Sequence, residues 1–327
     1  MIRSDAAPMP THAHPDHGRR AGARAIIEVP KTTFKRFFAA RADILSGAMA
    51  YFTVLSLAPL LILAIAIVGL VYGEEAARQR VVEDLSTSMG PHAAGVLDDL
   101  LRAAAVSGNG WKLAIGIGVA LWGASKIFTR LQDALNDIWG VRARRLRDLG
   151  DRTMVVLRKR ASGFVAALLV GVLLLASMTL KSVIAGVHGV TGALPFGTVI
   201  WPVVEGVGSV VLITAFIALV YKWLPDVELE LADVWPGALL TSLLVAVGSF
   251  AISAYLGYLA TTSLSGAAGG VLVLLLWIYF TSQVFLFGAE FTRAYTEWRR
   301  GPARPEAHAE AVARCEDSPQ ISESDRR

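Results

Sequence analysis

The chain has 327 residues, 54% of them hydrophobic and 18% charged, with a formal net charge of +4 and one cysteine. Soluble domains carry about 25% charged residues, so the composition excludes an ordinary soluble enzyme. Cys315 alone excludes a disulfide framework or a thiolate metal cluster. The apolar residues gather into runs of about 20, the length that crosses a hydrocarbon layer of about 30 Å.

Residues 1–30 hold Pro8, Pro10, Pro15, three histidines and several arginines without apolar periodicity, and read as a disordered cytoplasmic leader. The first long apolar run begins near Ile44 and has no small-residue cleavage site behind it, so it reads as a retained span. Between them, Phe34, Phe37 and Phe38 share one face of a helix flanked by Lys31, Lys35 and Arg36, a pattern suited to the headgroup layer.

Six spans follow in order: 44–72, 111–128, 161–184, 203–223, 235–258 and 270–291. Pro59 removes one helix hydrogen bond and is expected to kink the first. Two more amphipathic stretches flank spans: Leu131, Leu135 and Ile138 after the second, and Leu97, Leu100, Leu101 and Ala104 in the preceding loop. Each fits either the membrane surface or packing against the bundle, which periodicity cannot separate. The domain plan is a leader (1–30), a six-helix membrane domain (31–298) and a disordered cytoplasmic tail (299–327).

Basic residues outnumber acids in 1–42, 130–160 and 293–304, whereas acids predominate in 73–110. The alternation places both termini and the 130–160 loop in the cytoplasm. The 224–234 loop dissents: it should be cytoplasmic, yet it carries Asp226, Glu228, Glu230 and Asp233. The fold class expected is thus an all-α membrane protein, a bundle of six transmembrane helices with amphipathic interfacial helices.

Several stretches in combination resemble the BrkB/YihY family of bacterial inner-membrane proteins. They are Ala48-Met-Ala-Tyr-Phe52 leading to Leu57-Ala-Pro-Leu60, and Leu131-Gln-Asp-Ala-Leu-Asn-Asp-Ile-Trp-Gly140. Further along come Leu224-Pro-Asp226, Asp233-Val-Trp-Pro-Gly237, Leu276-Trp-Ile-Tyr279 and Gly288-Ala-Glu290. The resemblance covers roughly residues 30–298. Where such proteins often read Ser-Val-Tyr-Gly before the last span, this chain has Ser263-Leu-Ser-Gly266. The resemblance implies a bacterial inner-membrane location, a link to envelope integrity and virulence, and, for some members, export of lipid precursors. An older family label, ribonuclease BN, is regarded as a misassignment.

That label draws attention to His12-Ala-His14-Pro-Asp16-His17, which spells the H-x-H-x-D-H pattern of dinuclear zinc hydrolases. A catalytic zinc site also needs a rigid scaffold and further ligands. The remaining histidines, His92, His188 and His308, are scattered along the chain, so the pattern is read as coincidence and no metal is expected. No nucleophile–base pair, phosphate-cradling glycine loop or Walker lysine is present either, so neither an enzyme nor a cofactor is expected.

Charges within spans are more telling, since each costs about 2.5–3.5 kcal/mol at the bilayer centre. Lys126 and Glu290 are expected at similar depth near the cytoplasmic surface, and Lys181 and Glu205 near the outer one. Two pairs follow as expectations, Lys126–Glu290 and Lys181–Glu205, against the alternative that each residue snorkels alone. Ser46, Tyr51, Ser56, Ser125, Ser282 and Gln283 either line a polar path or join helices. Gly266 with Gly270, and Gly163 with Ala167, are small-residue pairs of the kind that let helices approach closely. Arg130, Arg142, Arg144, Arg145 and Arg147 are expected to meet anionic lipid headgroups. Nucleic acid is not an expected partner, because no aromatic platform is interleaved with the arginines. Oligomeric state is left open, with a homo-oligomer allowed.

These readings converge on movement of a lipid or envelope precursor across the inner membrane. The alternative is a non-transporting scaffold of the envelope, with a membrane-bound ribonuclease a distant third.

Overall fold

The computed structural model describes residues 20–40, 42–89, 91–104, 128–143, 169–184, 186–187, 197–259, 267–306 and 309–311. Helices dominate: α1 (Arg20–Ala39), α2 (Ala42–Tyr72), α3 (Glu74–Met89), α4 (Pro91–Ala104), α5 (128–139), α6 (Leu169–Ile184), α7 (Gly197–Trp223), α8 (Leu231–Leu259) and α9 (Ala267–Arg300). Two short strands, β1 (Val141–Ala143) and β2 (Ala309–Ala311), pair antiparallel, with Arg142 opposite Glu310.

Among the described residues, three helical stretches are long and apolar enough to cross a membrane: Val203–Trp223, Leu231–Ile252 and Gly269–Arg300. A fourth span results if α1 and α2, bent by 68° where they meet, are counted together. Leu169–Ile184 is a shorter apolar helix that coincides with the second half of the expected third span. The expected second span, 111–128, lies outside the described residues except at its last position. The kink expected at Pro59 likewise falls outside the residues described in full.

Two apolar cores are strung along α9. Near its C-terminal half, Leu286 and Ala289 pack with Leu135, Ile138 and Trp139 of α5, Ala218 and Tyr221 of α7, and Val234 and Ala238 of α8. Near its N-terminal half, Leu274 and Ile278 pack with Leu61 and Val68 of α2, Val81 of α3, Leu97 and Leu101 of α4, and Met178 of α6. The ambiguous stripes of α4 and α5 are therefore packing faces, with Leu97, Leu101, Leu135 and Ile138 all buried. α1 does both jobs. Its Phe34 and Phe37 rings meet Phe287 edge-on at 5.1 and 5.5 Å, while Phe34 and Phe38 remain exposed.

The outward faces are as apolar as the cores. On α8 the exposed residues Leu231, Trp235, Leu239, Leu243, Val247 and Phe250 recur at helical spacing, and Phe250 is 78% exposed. So continuous an apolar stripe on a polar-flanked helix is stable against hydrocarbon rather than water.

Two domain boundaries move. Helix α1 starts at Arg20, inside the segment read as a disordered leader. At the other end, Arg299 and Arg300 close the last turn of α9, which stops at Gly301 (φ 83°). A left-handed conformation costs glycine little, and the Gly301 N–H donates to the Glu297 carbonyl at 2.9 Å to cap the helix. The chain beyond is then fastened to two loops. The Glu306 N–H donates to the Asp226 carbonyl (3.1 Å), the Glu228 N–H to the Arg304 carbonyl (3.0 Å), and β2 pairs with β1. Backbone hydrogen bonds of this kind carry no signature in composition, which is why 299–311 read as tail.

Candidate functional site

Polar side chains concentrate where α5, the α7–α8 loop and α9 converge. Gln132 and Asn136 stand one helical turn apart on α5, on a face otherwise occupied by Leu135 and Ile138, and both are buried. Their amides donate to the two carboxylate oxygens of Asp226: Gln132 Nε2 to Oδ1 at 3.1 Å, Asn136 Nδ2 to Oδ2 at 2.8 Å. The Asp226 N–H in turn donates to Asn136 Oδ1 at 2.9 Å. A carboxylate 7% exposed is tolerable only when its oxygens are matched in this way.

A second acid of the same loop is handled by cations. Asp233 is fully buried; it is paired with Arg299 at 3.0 Å and with Arg300, while Arg300 also meets Glu230 at 2.8 Å. Asp233 Oδ2 accepts the Glu230 N–H at 3.0 Å, a capping arrangement that starts α8. Beside it, Glu297 bridges Arg36 of α1 (2.7 Å) and Arg293 (2.6 Å), and Arg293 donates to the Ile138 carbonyl of α5 at 2.5 Å. The loop that dissented from the charge rule thus has two of its four acids buried and satisfied by the fold.

One layer deeper, α8 and α9 approach through a reciprocal pair. Thr241 donates to the Gly237 carbonyl (2.7 Å) and Thr292 to the Gly288 carbonyl (2.8 Å), each on its own helix. Each threonine also sits over the other helix's glycine. A Cβ at Gly237 would stand 1.9 Å from Thr292 Oγ1, and one at Gly288 1.7 Å from Thr241 Oγ1. Tyr221 of α7 closes the joint, 3.0 Å from Thr241 Oγ1 and donating to the Phe285 carbonyl at 2.6 Å.

The structure treats the residues singled out by sequence unequally. Glu290 lies on α9 beside this joint and is 1% exposed. Its expected partner Lys126 lies outside the described residues, as do Arg144, Arg145, Arg147, the 12–17 histidine pattern, Ser125, Gly163, Ala167 and Gly266. Arg130 is exposed, with its guanidinium 4.9 Å from the centre of the Phe52 ring. Arg142 is exposed in β1. Lys181 does not take Glu205 as its partner: it pairs with Asp84 of α3 at 2.5 Å, and Glu205 is exposed on α7. α3 folds back along the end of α2, which brings Asp84 to α6; a loop reading of 73–110 could not foresee that. Of the other polar span residues, Ser46 is buried with no hydrogen-bond partner among the described residues, Gln283 donates to the Tyr279 hydroxyl at 2.6 Å, and Tyr51 is exposed.

Sequence reasoning missed Gln132, Asn136, Asp226, Asp233, Gly237, Thr241 and Thr292 as interacting groups. One signal was available: a polar pair at helical spacing within the apolar stripe of α5.

Long apolar helices, lipid-compatible outer faces and buried polar joints together define a multi-pass helical membrane protein. The chain belongs to the virulence factor BrkB family, whose model matches residues 33–314. It is 30% identical to a UPF0761 membrane protein of Verminephrobacter eiseniae and 29% identical to one of Chromobacterium violaceum, over 84% and 82% of its own length. It spans 63% of the length of each of these two relatives. It is also 26% identical to the ribonuclease-like protein YfkH of Bacillus subtilis, over 80% of this chain and 92% of that one. No solved structure matches the chain significantly.

Proposed function

We propose that this protein moves a lipid or envelope precursor across the bacterial inner membrane. It would do so as a six-span protein with both termini cytoplasmic. The observation that carries the reading is Glu290, an acidic side chain 1% exposed on an apolar span. An ionisable group at such a position is expensive to insert and is characteristic of substrate or ion paths. In the mechanism inferred, a helix-lined polar groove shelters an anionic headgroup while the acyl chains stay in lipid. Glu290 is the counter-charge, and Lys126 and Arg130 meet the headgroup. Arg130 suits that role because its guanidinium is exposed and steadied on Phe52. Arg142, Arg144, Arg145 and Arg147 extend the basic surface toward anionic lipids.

The test is lipid translocation in proteoliposomes, using fluorescent phospholipids and a lipid A precursor. Wild type is compared with Glu290→Gln and Lys126→Met at equal reconstitution. Movement by the wild type that is lost in both variants is the expected result. No movement of any lipid by a folded wild type overturns the reading.

A scaffold without transport is the second reading, favoured by the number of polar groups consumed in helix joints, Asp226 and Asp233 above all. It predicts that Glu290→Gln alters folding or partner binding and nothing else.

A further inference from the structure

The end of the bundle remote from α1 is built from the close of α2, the polar helices α3 and α4, and α6. Most of its described cations have carboxylate partners. Arg78 meets Glu75 at 3.0 Å and Asp98 at 3.3 Å, Arg102 meets Asp98 at 2.8 Å, and Lys181 meets Asp84 at 2.5 Å. Arg80 is different. Its guanidinium carbon lies 4.5 Å from the centre of the Tyr72 ring, and its Nη1 is buried with no hydrogen-bond partner among the described residues.

Stacking on an aromatic face fixes the plane of a guanidinium and leaves its edge free to donate. A desolvated N–H with no acceptor is unfavourable until an acceptor arrives. The acceptor that best matches this edge is an anion with two oxygens able to take parallel N–H bonds, and phosphate has that geometry. Tyr72 is held as the platform: Thr179 gives its hydroxyl proton to the Leu175 carbonyl (2.8 Å), so the Tyr72 hydroxyl donates to Thr179 Oγ1 (3.3 Å). Depth points to the source of the phosphate. Tyr72 is the last residue of the apolar α2, and Arg80 stands on the polar helix that follows, so the pair sits where hydrocarbon gives way to headgroups.

We propose that Arg80, held against Tyr72, is a binding site for the phosphate of a membrane lipid headgroup at the α2–α3 end of the bundle. The inference rests on the lipid-handling function proposed above for its choice of ligand source, but it is read by binding rather than by flux.

The experiment is native mass spectrometry of the full chain in detergent. It is titrated with phosphatidylglycerol, with diacylglycerol as the lipid lacking phosphate, and with inorganic phosphate as competitor. Phosphatidylglycerol affinity is expected to fall on the order of tenfold in Arg80→Gln, with an intermediate loss in Arg80→Lys, which keeps the charge without the fork. Diacylglycerol binding should not change. Equal phosphatidylglycerol affinity in wild type and Arg80→Gln overturns the site. Should Arg80→Gln fail to fold, Tyr72→Leu removes the stacking platform and leaves the arginine; undiminished binding there overturns the site equally. Inorganic phosphate that binds at Arg80 as tightly as the lipid does would overturn the lipid as ligand. Loss of binding in Arg80→Gln, beside a wild type that moves no lipid, supports the site and defeats the transport reading alone.

Discussion

Asn136 and Asp226, 90 residues apart in sequence, exchange two hydrogen bonds, amide to carboxylate at 2.8 Å and backbone N–H to amide oxygen at 2.9 Å. The pair joins α5 to the α7–α8 loop, and Gln132 completes the enclosure of the carboxylate. Asn136→Ala therefore takes the amide partner from a buried N–H and from a buried carboxylate oxygen together. Its expected cost is about 1–3 kcal/mol, measured by denaturant unfolding in detergent. The Asn136→Ala/Asp226→Ala double variant should cost less than the two single variants summed, since the second change removes the carboxylate that lost its amide partner. Strict additivity would show that the contact contributes nothing.

The α8–α9 joint has no room for a methyl group. Gly237→Ala places a Cβ against Thr292 Oγ1 and within 3.0 Å of the Gly288 carbonyl oxygen, so one helix must shift. A loss of about 1–3 kcal/mol is expected. Gly95→Ala, where a Cβ meets nothing within 4 Å on helix α4, serves as the control and should be neutral to slightly stabilising. Similar thermal stability of the two variants would refute the close packing.

Lys181 and Asp84 are partly exposed, so their ion pair is screened and each single charge reversal should cost no more than about 1 kcal/mol. Reversing both, Lys181→Glu with Asp84→Lys, should recover most of that loss. Glu205→Gln should leave stability unchanged. A Glu205→Lys change that rescues Lys181→Glu would instead support the pairing expected from sequence.

The segment after Gly301 fastens two loops at once, through Arg304, Glu306 and the β1–β2 pair. Truncation after Pro302 should raise hydrogen exchange at 141–143 and at 226–228 while the middle of α8 and α9 stays protected. Unchanged exchange at both loops would mean that the strap carries no stability.

The class of this protein was legible in its composition and patterning alone. Apolar runs of span length, separated by polar loops, can be stable only in hydrocarbon, and that reasoning needs no knowledge of which helices touch. The motifs that carry the family resemblance were also legible, and the BrkB family match covers them. Composition could not say what those motifs do for one another. Leu131–Gly140 and Leu224–Asp226 prove to be two halves of one hydrogen-bonded joint, and Asp233–Gly237 and Gly288–Glu290 contribute to another. The acids of 224–234 looked anomalous in linear sequence because their partners lie far along the chain: Gln132, Asn136, Arg299 and Arg300. The fate of Lys181 teaches the same lesson. Depth along a span can be counted from residue numbers, but which charge stands beside it depends on how α3 folds back, a matter of packing between helices distant in sequence.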